Sequence, residues 1–229
     1  MKKLIMAGMI MILFGVAFGV YDPTSAYEAK TLEGWTLRIN HELLKEHPEL
    51  CEKVLKLLGH QLYQITRVVP EKALKEIQKI PIWVEYQAPR HPCMCYHPSR
   101  QWLKENDFNP EKARSVEIAN AHNFLKWTHD QPWMVLHELA HAYHHNVLGY
   151  GHEGIRQAYE KIKASGRYDS VLHINGKSRR HYALNNDQEY FAESTEAFFG
   201  TNDFYPFVRS ELKQQDPAMY ELLKKVWGK

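Results

Sequence analysis

The sequence predicts an α+β fold in which helices outnumber strands: a small mixed sheet with an edge strand over a cleft, packed on a helix carrying His137-Glu138-Leu139-Ala140-His141 and on a second, glutamate-bearing helix. Three observations predict it. Apolar residues recur at three- and four-residue steps in several capped segments, the pattern of one-sided helices. A short run rich in Ile, Trp, Val and Tyr lies between prolines, as strands do. Asn175-Gly176, set between two short runs, marks a tight hairpin.

Taken in order, Lys2 and Lys3 followed by the uncharged apolar stretch Leu4 to Val20 read as an export signal, with cleavage after Gly19 or after Ala26. Left uncleaved, about 17 apolar residues stand at the lower limit for a membrane anchor. Residues 27–229 are expected to form a single domain, since roughly 200 residues make one substantial core and not two. Pro48 to about Val68 is a helix burying Leu50, Val54, Leu57, Leu58, Leu62 and Ile65, and Glu71 to Gln78 is a shorter one. Ile80 to Tyr86 is a strand, its early proline favouring a start or an edge. Tyr86 to Asn109, with three prolines, reads as an ordered loop holding one helical turn at Ser99 to Glu105. Ser115 to Leu125 is expected as the strand at the sheet edge beside the cleft.

Asp130 as N-cap, Pro132 near the first helical position and Gly149 after Leu148 bracket the helix carrying HELAH. A helix over Glu153 to Ala164 follows, then hairpin strands Val171 to Ile174 and Ser178 to Leu184. Asp187 to Phe199, ended by Gly200, and Asp216-Pro217 to Trp227 are the remaining helices.

Composition excludes some partners. Cleavage after Ala26 leaves 27 basic residues against 26 acidic, so nothing electrostatic points to nucleic acid. Without its signal the chain has no membrane segment, and its expected location is secreted or periplasmic. Three cysteines, Cys51, Cys93 and Cys95, are too few for a disulfide scaffold; one bridge from Cys51 to Cys93 or Cys95 is compatible with export, and a C-x-C pair is also a metal-binding spacing.

The chemistry lies in HELAH. Histidines four apart on a helix share one face, where both imidazoles reach one ion, and Glu138 borders the same site. A catalytic zinc needs a third protein ligand and an open fourth position. His144 cannot serve, because seven residues of helix separate it from His137 by about 10.5 Å. In Gln188-Glu189-Tyr190-Phe191-Ala192-Glu193 two carboxylates stand four apart; one can ligate while the other accepts from a ligand histidine's free ring nitrogen. The competing reading makes Glu189, Glu193 and Glu196 a solvated acidic stripe.

HELAH, then Tyr182, then Glu189 after six intervening residues, within Glu189-Tyr190-Phe191-Ala192-Glu193, resembles the zinc peptidases related to anthrax-toxin lethal factor. Members of that family read HExxH, Tyr, six residues, and Glu at the head of an E-F-F-A-E-like helix. The resemblance runs from Trp133 to Phe199; Tyr190 departs from the usual Phe, and the segment before Ser115 aligns with no member. It implies a zincin-like fold, one zinc per chain on His137, His141 and Glu189, Glu138 as general base, Tyr182 facing the oxyanion, and Glu193 behind the ligands. The expected activity is peptide hydrolysis by a zinc-activated water, with peptide or protein substrates. The alternatives are an inactive zinc-binding interaction module and a zinc amidase acting on non-peptide or cell-wall amides.

Overall fold

The computed structural model describes residues 21–88 and 90–228, so the export signal expected over Leu4 to Val20 lies outside the described residues. The segment just after it is fastened to the domain. Asn40 donates to Asp22 Oδ2 at 2.8 Å, Asn109 donates to the Asp22 carbonyl at 3.1 Å, and Thr24 donates to Glu111 at 2.5 Å.

Strands β1 (Tyr27–Leu32) and β2 (Trp35–Asn40) form an antiparallel hairpin. Its turn, Glu33-Gly34, has both residues at positive φ (50° and 91°), the geometry that suits strand twist in a two-residue loop. In β2 the alternate residues Trp35, Leu37 and Ile39 are buried. Asn40 caps the short α1 (His41–Glu46). Helix α2 (Pro48–Val68) buries Val54, Leu58, Leu62 and Ile65, the stripe its spacing predicts, and α3 (Glu71–Ile77) leads into β3 (Ile82–Val84). After β3 come β4 (Met94–Tyr96), α4 (Arg100–Glu105), β5 (Val116–Ile118) and α5 (Ala121–Trp127).

The sheet order is β1-β2-β3-β5-β4. β2, β3 and β5 run parallel, while β1 and β4 pair antiparallel at the two edges. This corrects the strand expected over Ser115 to Leu125. That strand is three residues long and lies inside the sheet; Asn120 then accepts from Asn123 N and starts α5. The edge strand is β4, in the segment read as loop.

Helix α6 (Met134–Tyr143) carries HELAH, starts after a turn rather than at Asp130, and continues as a π-helical turn, His144–Leu148, ended by Gly149 at φ 80°. Val135, Leu136, Leu139, Ala140 and Ala142 are fully buried, because α6 is packed on several sides: β4 and β5, α2, α3 and the helix Asp187–Phe199. α7 (Glu153–Ala164) follows, then the small hairpin β6 (Val171–Leu172) and β7 (Ser178–Arg179). The hairpin is shorter than expected, and Tyr182 lies beyond it, in a 3-10 turn (Tyr182–Leu184). α8 (Asp187–Phe199), α9 (Arg209–Gln215) and α10 (Pro217–Trp227) complete the chain. All three cysteines are free, so the bridge that export would permit is not formed. No helix among the described residues is long and apolar enough to cross a membrane.

Candidate metal centre

α6 and α8 pack against each other and bring their polar faces to a cleft of about 880 Å³ bordered by β4. α8 is buried from Tyr190 to Phe199, which includes Glu193 and Glu196 at 4% and 3% exposed. The solvated acidic stripe is therefore excluded: the i, i+4, i+7 row of glutamates faces α6. Asn186 caps α8 by accepting from the Glu189 amide at 2.7 Å, which fixes the first turn and sets the Glu189 carboxylate at the positive end of the helix.

Three side-chain atoms converge there. His137 Nε2 lies 3.1 Å from Glu189 Oε2 and 3.1 Å from His141 Nε2, and His141 Nε2 lies 3.3 Å from Glu189 Oε2. The triangle is nearly equilateral. Ligands bound at about 2.0–2.1 Å in tetrahedral geometry stand about 3.3–3.4 Å apart, so the donor set of two imidazoles and one carboxylate fits a zinc ion in both chemistry and spacing. Glu138 lies on the cleft wall outside this triad.

Behind the triad, the carboxylate nearest His137 Nδ1 is Glu196, at 2.7 Å, whereas Glu193 stands at 3.7 Å, beyond hydrogen-bonding range. This replaces the placement of Glu193 behind the ligands. Seven residues along the helix, rather than four, bring a side chain level with the far nitrogen of His137; the spacing was present in the sequence as part of the acidic row. Glu193 instead sits between His137 and His181, with Oε2 3.6 Å from His181 Nδ1. Asp203, paired with His173 at 3.5 Å, completes a buried carboxylate cluster that carries no local signal in the sequence, because Asp203 comes from the loop after α8.

Electrostatics follow from this burial. Burial alone lowers the His137 pKa, but hydrogen bonds to Glu189 and Glu196 outweigh it and hold the imidazole well above its ordinary value. Burial raises Glu189 while the hydrogen bonds from His137 and His141 bring its carboxyl well below the usual range. Glu196, raised chiefly by burial, reaches about 7, and Glu193 is pushed well above its ordinary value by burial and by Asp203 and Glu196. Tyr182, 47% exposed at the cleft, has its pKa raised by partial burial and then by Glu189, so its phenol keeps the proton and remains a donor. His144 is fully buried beside Phe191 and Tyr150, and neither ring nitrogen has a hydrogen-bond partner among the described residues.

Residues 60–226 match the family described as anthrax toxin lethal factor, N- and C-terminal domain. The chain belongs to the lethal-factor family. That family is one of zinc metalloproteases, and the match takes in α6, α8 and both edges of the cleft. No curated protein and no solved structure matched. Because the family description covers two kinds of domain, what this lethal-factor domain does rests on its own site.

Proposed function

We propose that the protein is an exported zinc metallopeptidase of zincin type, with His137, His141 and Glu189 holding one zinc and Glu138 acting as general base. The observation that carries this reading is the 3.1 to 3.3 Å triangle of ligand atoms on the wall of an open cleft. When bound, zinc supplies Lewis acidity, polarising the scissile carbonyl and making a water acidic near neutral pH. Glu138, on the cleft wall beside the triad, would serve as the base that accepts a proton from the attacking water and returns it to the leaving amine. Tyr182 donates its O–H toward the developing oxyanion. Glu196 accepts from His137 Nδ1, fixing the tautomer that presents Nε2 to the metal. β4, at the end of the sheet, offers backbone groups to an extended peptide lying in the cleft.

The test is hydrolysis of a mixed peptide library, run beside a panel of non-peptide amides. Glu138→Gln is expected to keep its zinc and lose activity by about 10²- to 10⁴-fold. Unchanged turnover in that variant refutes the base assignment. Cleavage confined to the non-peptide panel identifies an amidase, and zinc binding with no hydrolysis identifies a binding module.

A further inference from the structure

Around β4 a second group of metal-ligating side chains meets: His91 from the loop before β4, Cys95 on β4, and His97 just after it. Their ligand atoms all lie within 4.8 Å of one another. Cys95 Sγ is 3.5 Å from His97 Nε2. A tetrahedral zinc with Zn–S of about 2.3 Å and Zn–N of about 2.0–2.1 Å spaces its sulfur and nitrogen about 3.5–3.6 Å apart. His91 Nε2 is buried and has no hydrogen-bond partner among the described residues, which is a costly arrangement for a ring nitrogen unless something occupies it. Burial, followed by the field of His97, lowers the His91 pKa and keeps the ring in the neutral form that ligates.

Glu117 pairs with Cys95 across the sheet, and its Oε2 accepts from His97 Nε2 at 2.6 Å while Oε1 accepts from Lys112. Lys112 also bonds Glu85, so two buried carboxylates face one ammonium and carry an excess of negative charge. A divalent cation with a Cys95 thiolate makes this cluster neutral overall, which lowers the cost of burying it.

We propose that His91, Cys95 and His97 form a second zinc site that ties the edge strand of the cleft to the loop before it, with the Glu117 carboxylate beside it. Binding releases the Cys95 thiol proton; the proton that His97 Nε2 shares with Glu117 moves to Nδ1, freeing Nε2 for the metal. The site has three protein ligands, one thiolate and two imidazoles, and leaves the fourth tetrahedral position to water. Cys93 is not part of it. Its Sγ lies 3.6 Å from Met134 Sδ, so the two cysteines of the C-x-C pair serve different neighbours.

The site is independent of the HELAH reading, and one experiment separates them. Zinc is counted in the purified full chain and in Cys95→Ser, His91→Ala and His141→Ala, and each is then loaded with Co²⁺ and scanned for the near-ultraviolet thiolate-to-cobalt absorption. The expected result is about two zinc ions in the wild type and about one in each variant, with the thiolate band absent from Cys95→Ser and retained in His141→Ala. If Cys95→Ser does not fold, His91→Ala, altered on a loop, carries the same comparison. A wild type that holds zinc but shows no thiolate band, and whose zinc content is unchanged in His91→Ala, overturns the proposal. A thiolate band in the wild type that survives His141→Ala supports it even if the HELAH triad binds nothing.

Discussion

Replacing Glu196 tests how the candidate metal centre is built. The hydrogen bond from His137 Nδ1 to Glu196 is 2.7 Å long and both groups are almost wholly buried, so the carboxylate fixes the ring and increases its basicity toward the metal. Removing such a partner typically weakens metal affinity by about 10- to 100-fold, which is about 1.4–2.7 kcal/mol. Glu196→Ala is expected to fall in this range. Glu196→Gln, which keeps an acceptor oxygen without the charge, should fall between it and the wild type. Glu193→Gln should cost less than about threefold, since 3.7 Å is not a hydrogen bond. Zinc dissociation constants from competition with a chromophoric chelator at fixed pH provide the assay. Thermal unfolding of the metal-free proteins separates affinity from folding: Glu196 is crowded by burial and by Asp203, so the isosteric Gln should leave metal-free stability unchanged or raised. Equal affinity in Glu196→Ala and wild type, or a larger loss in Glu193→Gln than in Glu196→Gln, refutes this assignment.

Three more predictions follow from the fold. A Cβ on Gly200 would fall 1.9 to 2.2 Å from the Trp133 ring just before α6, so Gly200→Ala should destabilise the protein by about 1–3 kcal/mol in urea titrations and lower activity with it. His144 has its pKa lowered to about 4 by burial, below the ordinary value of 6.5. Its contribution to stability is therefore present above pH 6.5 and lost as pH falls through about 4, on the order of 3 kcal/mol in all; His144→Phe, fitted among Phe191 and Tyr150, should show a smaller loss between pH 7 and pH 4 when both chains are unfolded by urea. A chain beginning at Tyr27 loses the bonds of Asp22 and Thr24 to Asn40, Asn109 and Glu111, and should be less stable by about 1–3 kcal/mol than one beginning at Val20, measured by thermal unfolding; of the two expected cleavage positions, only the one after Gly19 preserves them.

The helices were legible because their signals are local. Pro48 to Val68, Glu153 to Ala164, Asp187 to Phe199 and the last helix from Pro217 have the bounds that capping residues and three-four spacing predict. His137 and His141 were legible for the same reason, since a four-residue step on a helix fixes their relation before any tertiary contact forms. Strands were read less well. β4 is three residues between prolines, and no periodicity can be counted over so few; it is a strand because β5 has an unpaired edge beside it. Val116–Ile118 carried the β pattern, but whether it lay inside the sheet or at its edge depended on a partner distant in sequence.

The amino-acid sequence by itself determined the HELAH helix, the glutamate row on α8 and their family resemblance, since each is written in residues within a few turns of one another. Only the tertiary structure decided which glutamate touches which histidine nitrogen, which strand borders the cleft, and that His91, Cys95, His97 and Glu117 meet. Glu193 and Glu196 differ by less than one helical turn, and it is the packing of α6 against α8 that places Glu196 at 2.7 Å from His137 and leaves Glu193 at 3.7 Å. Spacing along a helix fixes direction; distance between helices is fixed only by what packs between them.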